Sequence, residues 1–293
     1  MSWTDRLLTA LSAAPRWSYE VGPAAATEPT ALATLAMLGY DRPAEARRGL
    51  EWLSTVQAAD GSLGVTRALS TPCWPTSLAI IAWRRAAAAG VARDQNRIER
   101  AVAWTLTTKG EAIARTEQLG HDSTLVGWPW VTTTHSWVEP TALSVMALKV
   151  AGHADHPRTR EAVRLLLDRT LHEGGLNYGN TTVLGQELRP HVQPTGISLV
   201  ALAGENTGQE QVARSALFLE QNLSASTTTA SLCWAVLGLA AQGRPLAEAD
   251  RWLRAAAERT LRRGPSPYKL ALLLLAATSD RRLLLPASER LDS

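Results

Sequence analysis

Four segments of the sequence repeat one pattern, in which a Pro-Thr pair is followed by an apolar run that carries almost no charge. The pairs stand at 29–30, 75–76, 140–141 and 194–195, and weaker copies begin at 229 and 268. Proline suits the first turn of an α-helix, because its missing N–H needs no partner there. We therefore predict six helices of one kind, each beginning close to a Pro-Thr pair or to its weaker equivalent.

A second kind of helix is predicted between these segments, with one apolar stripe and one charged face. The segments that show this pattern are 44–57, 93–106, 158–171, 209–221 and 246–261. A helix without charge on any side must be covered all round, whereas an amphipathic helix keeps one face in water. The alternation predicts two layers, with the chargeless helices inside and the amphipathic helices outside.

Six inner helices can close into a ring, so the predicted fold is all-α, an α/α toroid of about six helix hairpins. We take residues 1–293 as a single domain. In this domain, a helix within residues 1–20 closes the ring beside the last inner helix. Residues 110–136 form an insertion that acts as a lid, since loops of this length are often functional, and residues 280–293 form a tail.

The composition excludes several classes of protein. The 30 basic and 27 acidic residues leave a net charge of +3 that is spread along the chain, so no nucleic acid is expected as a partner. With 2 cysteines, no disulfide framework is expected. The N-terminus lacks a signal-peptide pattern, and the longest aliphatic run, 270–277, is too short to cross a membrane. These features predict a soluble cytoplasmic protein.

Residues 48–64 carry a motif that occurs in a known class of helical repeat proteins. The segment reads Arg48-Gly49-Leu50-Glu51-Trp52-Leu53 and continues through Gln57 to Asp60-Gly61-Ser62-Leu63-Gly64. It resembles the QW motif of squalene and oxidosqualene cyclases, with Leu63 where that family has tryptophan. The segment Gly174-Gly175-Leu176-Asn177-Tyr178-Gly179 resembles the same turn in another repeat. The segment Gly127-Trp128-Pro129-Trp130, followed by Ser136-Trp137-Val138-Glu139-Pro140-Thr141, is similar to bacterial members of this repeat class.

On these motifs the chain resembles the terpene cyclase, prenyltransferase and squalene oxidase repeat family, as a short bacterial member. The resemblance covers about residues 25–275 and implies a squalene-cyclase-like α/α toroid. The Asp-x-Asp-Asp run with which class II cyclases protonate their substrates is missing, and so is the Asp-x-Cys pair of the protein prenyltransferases. Since a fold does not define a reaction, the resemblance carries no activity with it.

The inner helices should all begin at one rim of the toroid, because the repeats are equivalent. The residues two positions before the repeated threonine are Glu28, Trp74, Glu139 and Gln193. Helix N-termini favour anionic groups. We predict Glu28, Trp74 and Gln193 as ligand-binding residues; the alternative is that Glu28 and Glu139 only cap their helices.

The insertion at 110–136 brings further reactive side chains close to Glu139 in the sequence. A carboxylate near a histidine can transfer protons, so the predicted catalytic residues are Glu139, Asp122 and His135. Tryptophan faces can stabilise a cation or cover an apolar chain, and the predicted ligand-binding wall consists of Trp128, Trp130 and Trp137. The alternative is a packed surface loop with ordinary tryptophans.

No metal and no cofactor are assigned from the sequence. The residues of zinc-binding type that precede inner helices are Cys73, His135, Glu139 and His191. Their spacing matches no defined motif, so a zinc or magnesium site is kept as an alternative.

These observations predict a toroid that binds an isoprenoid or a similar apolar small molecule, and that acts as a cyclase or prenyl-transfer enzyme if it is catalytic. The first alternative is a non-catalytic scaffold that holds a protein partner. A second alternative is one half of a larger cyclase, in which another subunit supplies the missing acid. A cavity with a buried carboxylate favours an enzyme, whereas a lumen filled by its own side chains favours a scaffold.

Overall fold

The computed structural model describes residues 1–22, 24–115, 119–279 and 281–286. Within these ranges the chain forms helices and one short antiparallel hairpin. The helices are α1 (Trp3–Ala13), α2 (Thr27–Gly39), α3 (Pro43–Val56), α4 (Thr76–Ala88), α5 (Gln95–Thr107), α6 (Val138–Val150), α7 (Pro157–Asp168), α8 (Val192–Ala201), α9 (Gln209–Asn222), α10 (Thr229–Ala241), α11 (Ala249–Arg263) and α12 (Pro267–Ala277). The strands are β1 (Thr182–Val183) and β2 (Gln186–Glu187).

The even-numbered helices form a closed inner ring. Each packs against the next, from α2 through α4, α6, α8 and α10 to α12, and α12 packs against α2. The closest approach is between α8 and α10, where Gly196 and Gly238 leave no room for a side chain between the two backbones. The ring confirms the predicted all-α toroid, with the six mostly uncharged helices inside.

The odd-numbered helices form the outer layer. Helices α3, α5, α7, α9 and α11 are the predicted amphipathic segments, and each packs against inner helices. Their ends differ from the prediction by a few residues; for example, α11 begins at Ala249. Helix α1 packs against α11 and α12. It thereby takes the place of an outer helix at the point where α12 meets α2. No helix in the described part of the chain is both long and apolar enough to span a bilayer.

In three inner helices, α4, α6 and α8, the repeated threonine links the helix to the turn that precedes it. The Oγ1 atom of Thr76 accepts a 2.9 Å hydrogen bond from the N–H of Leu63. Thr141 does the same for Trp128 at 3.0 Å, and Thr195 for Leu176 at 2.9 Å. Because a buried N–H without a partner is costly, these bonds explain why threonine recurs after the proline.

Apolar side chains fill the toroid below its rim. Residues all round the inner helices are almost fully buried, including Leu35 on α2, Ile80 and Ile81 on α4, and Leu274 on α12. A side chain that faced an open lumen would remain accessible to solvent. Among the described residues, the deep apolar cavity expected from the sequence is therefore closed, and any ligand must bind closer to the rim.

The carboxyl ends of three inner helices, α2, α4 and α12, are covered by the chain itself. Residues 281–286 lie across α2, α4 and α12, with Leu283 against Gly39. The Arg85 guanidinium donates to the carbonyls of Leu283 and Arg282 at 2.8 and 3.1 Å. Of the predicted tail at 280–293, residues 280 and 287–293 lie outside the described residues.

A buried ion pair holds the neighbouring inner helices together at the same end. The Nζ atom of Lys149, at the end of α6, lies 2.6 Å from Oε1 of Glu205 and donates to the Ala201 carbonyl of α8 at 2.7 Å. Arg160 reaches the other Glu205 oxygen at 2.6 Å. Both ends of the pair are therefore satisfied, as buried charges require.

Candidate active site at the mouth of the toroid

Two glutamates lie at equivalent places in the ring, in the first turns of α2 and α6. Glu28 is 8% exposed and Glu139 is 6% exposed, so both carboxyl groups are nearly withdrawn from water. Neither forms an ion pair with a cation among the described residues. Buried carboxyl groups without a counter-ion are uncommon outside functional sites.

Each glutamate is held by one hydrogen bond from a neighbouring element. The Tyr19 hydroxyl donates to Oε2 of Glu28 at 2.7 Å. The side-chain amide of Gln193, in the first turn of α8, donates to Oε1 of Glu139 at 3.2 Å. In both residues the other carboxyl oxygen has no partner among the described residues, and it remains available to a ligand.

Burial raises the pKa of both glutamates. The pKa of Glu28 is raised to about 7, because burial outweighs the hydrogen bond from Tyr19 and the negative charge of Glu139 adds to the effect. The pKa of Glu139 is raised to about 7, mainly by burial and against the hydrogen bond from Gln193. Protonated and ionised forms of both groups are thus populated near neutral pH, which is the condition for acid–base catalysis.

Tyrosines surround the two carboxyl groups. The Tyr268 ring lies 5.4 Å from the Tyr19 ring, measured between centroids. Burial, followed by the charge of Glu28, raises the pKa of Tyr268 well above its ordinary value. The pKa of Tyr178 is raised by burial and by the charge of Glu139. Burial also raises the pKa of Tyr19. The hydroxyls of Tyr19, Tyr178 and Tyr268 therefore stay protonated and are neutral hydrogen-bond donors at the mouth.

Three of the four predicted wall and rim tryptophans lie near this mouth. Trp74 and Trp130 meet edge to face, with ring centroids 4.9 Å apart. Trp137 directly precedes α6, and its ring packs 4.6 Å from the ring of His135. These rings are partly exposed, so they provide an apolar border next to the first turns of α4 and α6.

Trp128 does not lie on this border, contrary to the prediction of a ligand-binding wall. It is 3% exposed and belongs to the core between the two layers. Its indole N–H donates to the Thr105 carbonyl at 2.8 Å, and the Arg158 guanidinium covers its ring at 4.6 Å. Trp128 is thus equivalent to Leu63 and Leu176 in their repeats, because the backbone N–H of each of these residues donates to the repeated threonine.

Asp122 also lies away from the two glutamates. Its Oδ1 atom accepts hydrogen bonds from the Thr124 hydroxyl at 2.6 Å and the Thr124 N–H at 3.0 Å, and these bonds lower the pKa of Asp122. Its own N–H donates to Asp168 at the end of α7. The insertion at 110–136, as far as it is described, folds toward the outer layer here, so Asp122 stabilises a turn and is removed from the candidate site.

The residues considered for zinc do not converge. Among the described residues, no three side chains of histidine, cysteine, aspartate or glutamate are grouped to hold a metal ion. Cys73 donates to the Ser70 carbonyl at 3.0 Å, and the exposed His191 ring packs 5.0 Å from the Tyr178 ring. Cys73, His135 and His191 therefore contribute to separate parts of the rim.

A small cavity opens beside Gln193. Its volume is about 260 Å³, and its lining includes Tyr178, His191, Gln193, Thr228 and Ser231. Gln193 therefore links this cavity to Glu139, one of the two buried carboxyl groups, through its hydrogen bond. No sequence pattern marks the tyrosines or Ser231 as site residues, because they lie in loops or in a weaker repeat.

Comparison with known proteins places this architecture among the α/α toroids. Solved structures that share the fold include Salmonella alpha-2-macroglobulin, with 14% identity and a TM-score of 0.56 over 94% of this chain and 17% of that chain. The chain thus corresponds to only a part of the macroglobulin. The type II terpene cyclase MstE from Scytonema, solved with geranylgeranyl dihydroxybenzoate, has 17% identity and a TM-score of 0.57 over 90% of this chain and 79% of that chain.

A glycosidase matches over nearly its whole length, covering 97% of both chains with 14% identity and a TM-score of 0.58. No family model matches the sequence, and no curated protein sequence matches it significantly. At these identities the likeness concerns the fold, which is shared by proteins of unrelated activity.

Proposed function

We propose that the chain is an enzyme whose toroid mouth transfers protons to and from the largely apolar part of a substrate of isoprenoid type. The observation that carries the proposal is that Glu28 and Glu139, at equivalent positions in the ring, are both nearly withdrawn from water, and that each has a pKa of about 7. One carboxyl group can donate a proton while the other accepts one. Such complementary use of two carboxyl groups is a general route to acid–base catalysis.

The roles of the two glutamates follow from their free oxygen atoms. Glu139 is bound by Gln193, which also lines the small cavity open to solvent. We assign Glu139 the direct proton transfer to or from the substrate. Glu28, which is bound to Tyr19, takes the complementary role and sets the charge state of the pair.

An apolar substrate is supported by the aromatic border of the mouth. Trp74, Trp130 and Trp137 present partly exposed rings next to the carboxyl groups. Aromatic faces can cover a prenyl chain and stabilise a transient cation. Since the lumen below is filled, the substrate would lie across the mouth. The terpene cyclase MstE, which was solved with a geranylgeranyl compound, is consistent with this class.

The test combines binding with turnover. Farnesol, geranylgeraniol and squalene are added to the wild type, to Glu139→Gln and to the control Glu51→Gln, whose side chain is exposed on α3. We expect at least one isoprenoid to raise the Tm of all three proteins. Conversion of that compound, followed by gas chromatography with mass spectrometry, should fall by roughly 100-fold or more in Glu139→Gln alone.

The absence of both a thermal shift and conversion with every isoprenoid would overturn the substrate class. A panel of aryl glycosides is included because a glycosidase shares the fold and because glycoside hydrolysis uses two carboxyl groups. If the wild type hydrolysed a glycoside and Glu139→Gln did not, the proton-transfer role of Glu139 would stand, but the substrate would be a glycoside and not an isoprenoid.

A second candidate function is non-catalytic binding of a protein partner. The filled lumen of the described residues favours it, because the toroid then acts as a rigid body with a shaped rim. It predicts that Glu139→Gln changes no reaction in either panel, whereas replacement of rim tryptophans such as Trp130 weakens a protein complex.

A further inference from the structure

A large cavity lies next to the mouth, where α10, α11 and α12 meet. Its volume is about 750 Å³. The charged groups in its lining are Arg259, Arg263, Lys269 and a single carboxylate, Glu20. The cavity therefore carries an excess of positive charge, although the chain as a whole is close to neutral at +3.

Two of the three cations have no partner. Neither the Arg263 guanidinium nor the Lys269 ammonium group forms a hydrogen bond or an ion pair within the described residues. Elsewhere on α11, Arg251 is paired with Glu248, whereas Arg254 and Arg262 form no ion pair among the described residues but lie outside the cavity. Unpaired cations that face the same cavity attract an anionic ligand more strongly than cations that are already paired and screened by solvent on the surface.

The third cation is fixed in the wall of the cavity. Arg259 donates to the carbonyls of Ala225 and Thr227 at 2.8 and 3.2 Å, and so it holds the turn before α10. Next to it, the hydroxyls of Thr229 and Thr260 lie 3.2 Å apart. These neutral groups provide short-range hydrogen bonds beside the charges.

The start of α10 adds backbone donors on the same side. No side chain caps this helix, so the N–H groups of Thr229 and Ala230 in its first turn have no partner among the described residues. Both residues line the cavity. Free N–H groups at a helix start bind oxyanions well, and here they supplement the cations.

The cavity is continuous with the candidate active site. Thr227 and Thr228 line both this cavity and the smaller one beside Gln193. Gln193 in turn donates to Glu139. An anionic group held by Arg263 and Lys269 would thus leave the rest of its molecule directed past Thr228 toward the carboxyl pair.

We propose that the cavity between α10, α11 and α12 binds the phosphate or diphosphate group of a small molecule, with Arg263 and Lys269 as its charged ligands. The oxyanion site stands on its own observations. The further statement that the same molecule is the substrate at Glu139 rests on the proposed function.

The experiment titrates sodium pyrophosphate, inorganic phosphate and sodium sulfate into the protein by calorimetry, at low and constant ionic strength. The variants are Arg263→Ala and Lys269→Ala. The matched control is Arg262→Ala, which removes the same charge from the neighbouring exposed position outside the cavity. Unchanged melting curves without ligand show that each variant folds.

We expect pyrophosphate to bind more tightly than phosphate or sulfate to the wild type. Affinity should fall about tenfold in each of the two cavity variants and stay within about twofold in Arg262→Ala. If Arg262→Ala and Arg263→Ala lost the same affinity for pyrophosphate, the binding would depend on the overall charge and not on this cavity. If pyrophosphate gave no heat of binding with the wild type, the proposed site would be wrong.

A further variant separates the two proposals. Glu139→Gln should bind pyrophosphate as the wild type does, because Glu139 does not line the cavity. Failure of pyrophosphate binding overturns the oxyanion site and leaves the carboxyl pair untouched. Normal binding together with unaltered turnover in Glu139→Gln overturns the proposed function and leaves the oxyanion site standing.

Discussion

The side-chain amide of Gln193 lies 3.2 Å from Oε1 of Glu139, and the two residues hold equivalent positions in successive repeats. Each stands two places before the threonine that fixes its helix to the preceding turn. The repeat therefore does more than set the fold. It places one polar side chain from each of several helices at the same depth, where these side chains can bind one another and a ligand.

The stability of the protein should depend on pH through Glu139. Its folded pKa of about 7 exceeds the ordinary value of 4.5, so the folded state binds its proton more tightly. The resulting stabilisation is complete below about pH 4.5 and is lost as the pH rises through about 7. Glu139→Gln removes this loss and should be more stable than the wild type at pH 8, by at most roughly 3 kcal/mol.

Urea unfolding at pH 5 and pH 8 measures this difference. The free energy of unfolding of Glu139→Gln should change less between the two pH values than that of the wild type. Glu51→Gln, at an exposed position, is the control and should follow the wild type. Parallel pH dependence in all three proteins would show that Glu139 titrates normally.

The pKa of Glu28 should respond in opposite directions to its two neighbours. The Tyr19 hydroxyl stabilises the Glu28 carboxylate, so Tyr19→Phe should raise the pKa of Glu28 above about 7. The charge of Glu139 disfavours that carboxylate, so Glu139→Gln should lower it. Carboxyl carbon NMR titration reports both shifts.

Tyr40→Phe is the control for the tyrosine variant. The Tyr40 hydroxyl bonds to the Leu274 carbonyl at the opposite end of the toroid, at 3.3 Å. Its removal should leave the titration of Glu28 unchanged. If Tyr19→Phe and Tyr40→Phe gave the same titration curve, the hydrogen bond from Tyr19 to Glu28 would not be formed in solution.

Loss of one repeated threonine should destabilise the protein without altering the site. Thr141→Val keeps the shape of the side chain but leaves the buried Trp128 N–H without its acceptor. We expect a loss of about 1–3 kcal/mol in the free energy of unfolding, and a smaller loss for Thr141→Ser, which retains the hydroxyl. Thr107→Val, on the exposed side of α5, should stay within about 0.5 kcal/mol of the wild type.

Trp128 and Trp130 should behave differently, although both precede α6. Trp128→Leu introduces the residue found at Leu63 and Leu176, removes the hydrogen bond to Thr105, and should lower stability by about 2–4 kcal/mol. Its effect on ligand affinity should be small. Trp130→Leu should weaken binding of the isoprenoid with little change in Tm. If instead Trp128→Leu lost affinity and Trp130→Leu lost stability, Trp128 would be a ligand-binding residue, as the sequence predicts.

Much of the fold could be predicted because charge and periodicity separate the two kinds of helix. The runs 31–39 and 142–148 carry no charged side chain, and only an inner layer can bury such helices. The positions of Glu28, Glu139 and Gln193 follow from the same argument. Residues at one register of equivalent parallel helices reach the same level of the ring.

The parts that could not be predicted depend on loop paths. Asp122 and His135 precede Glu139 closely in the sequence, but the insertion turns toward α7, and Asp122 ends beside Asp168. Tyr19 reaches Glu28 from the segment between α1 and α2, where no repeat marks it. The role of the repeated threonine was also hidden, because its partner is a backbone N–H rather than a side chain.

The hydrogen bonds from Arg85 to the carbonyls of residues 282 and 283 have a consequence for ligand access. Because the carboxyl ends of α2, α4 and α12 are overlaid by chain, access from that side of these helices is blocked. Under the proposed function, substrate and product would both bind at the starts of the inner helices. Product that still occupies this position would exclude substrate, so product inhibition competitive with substrate is expected.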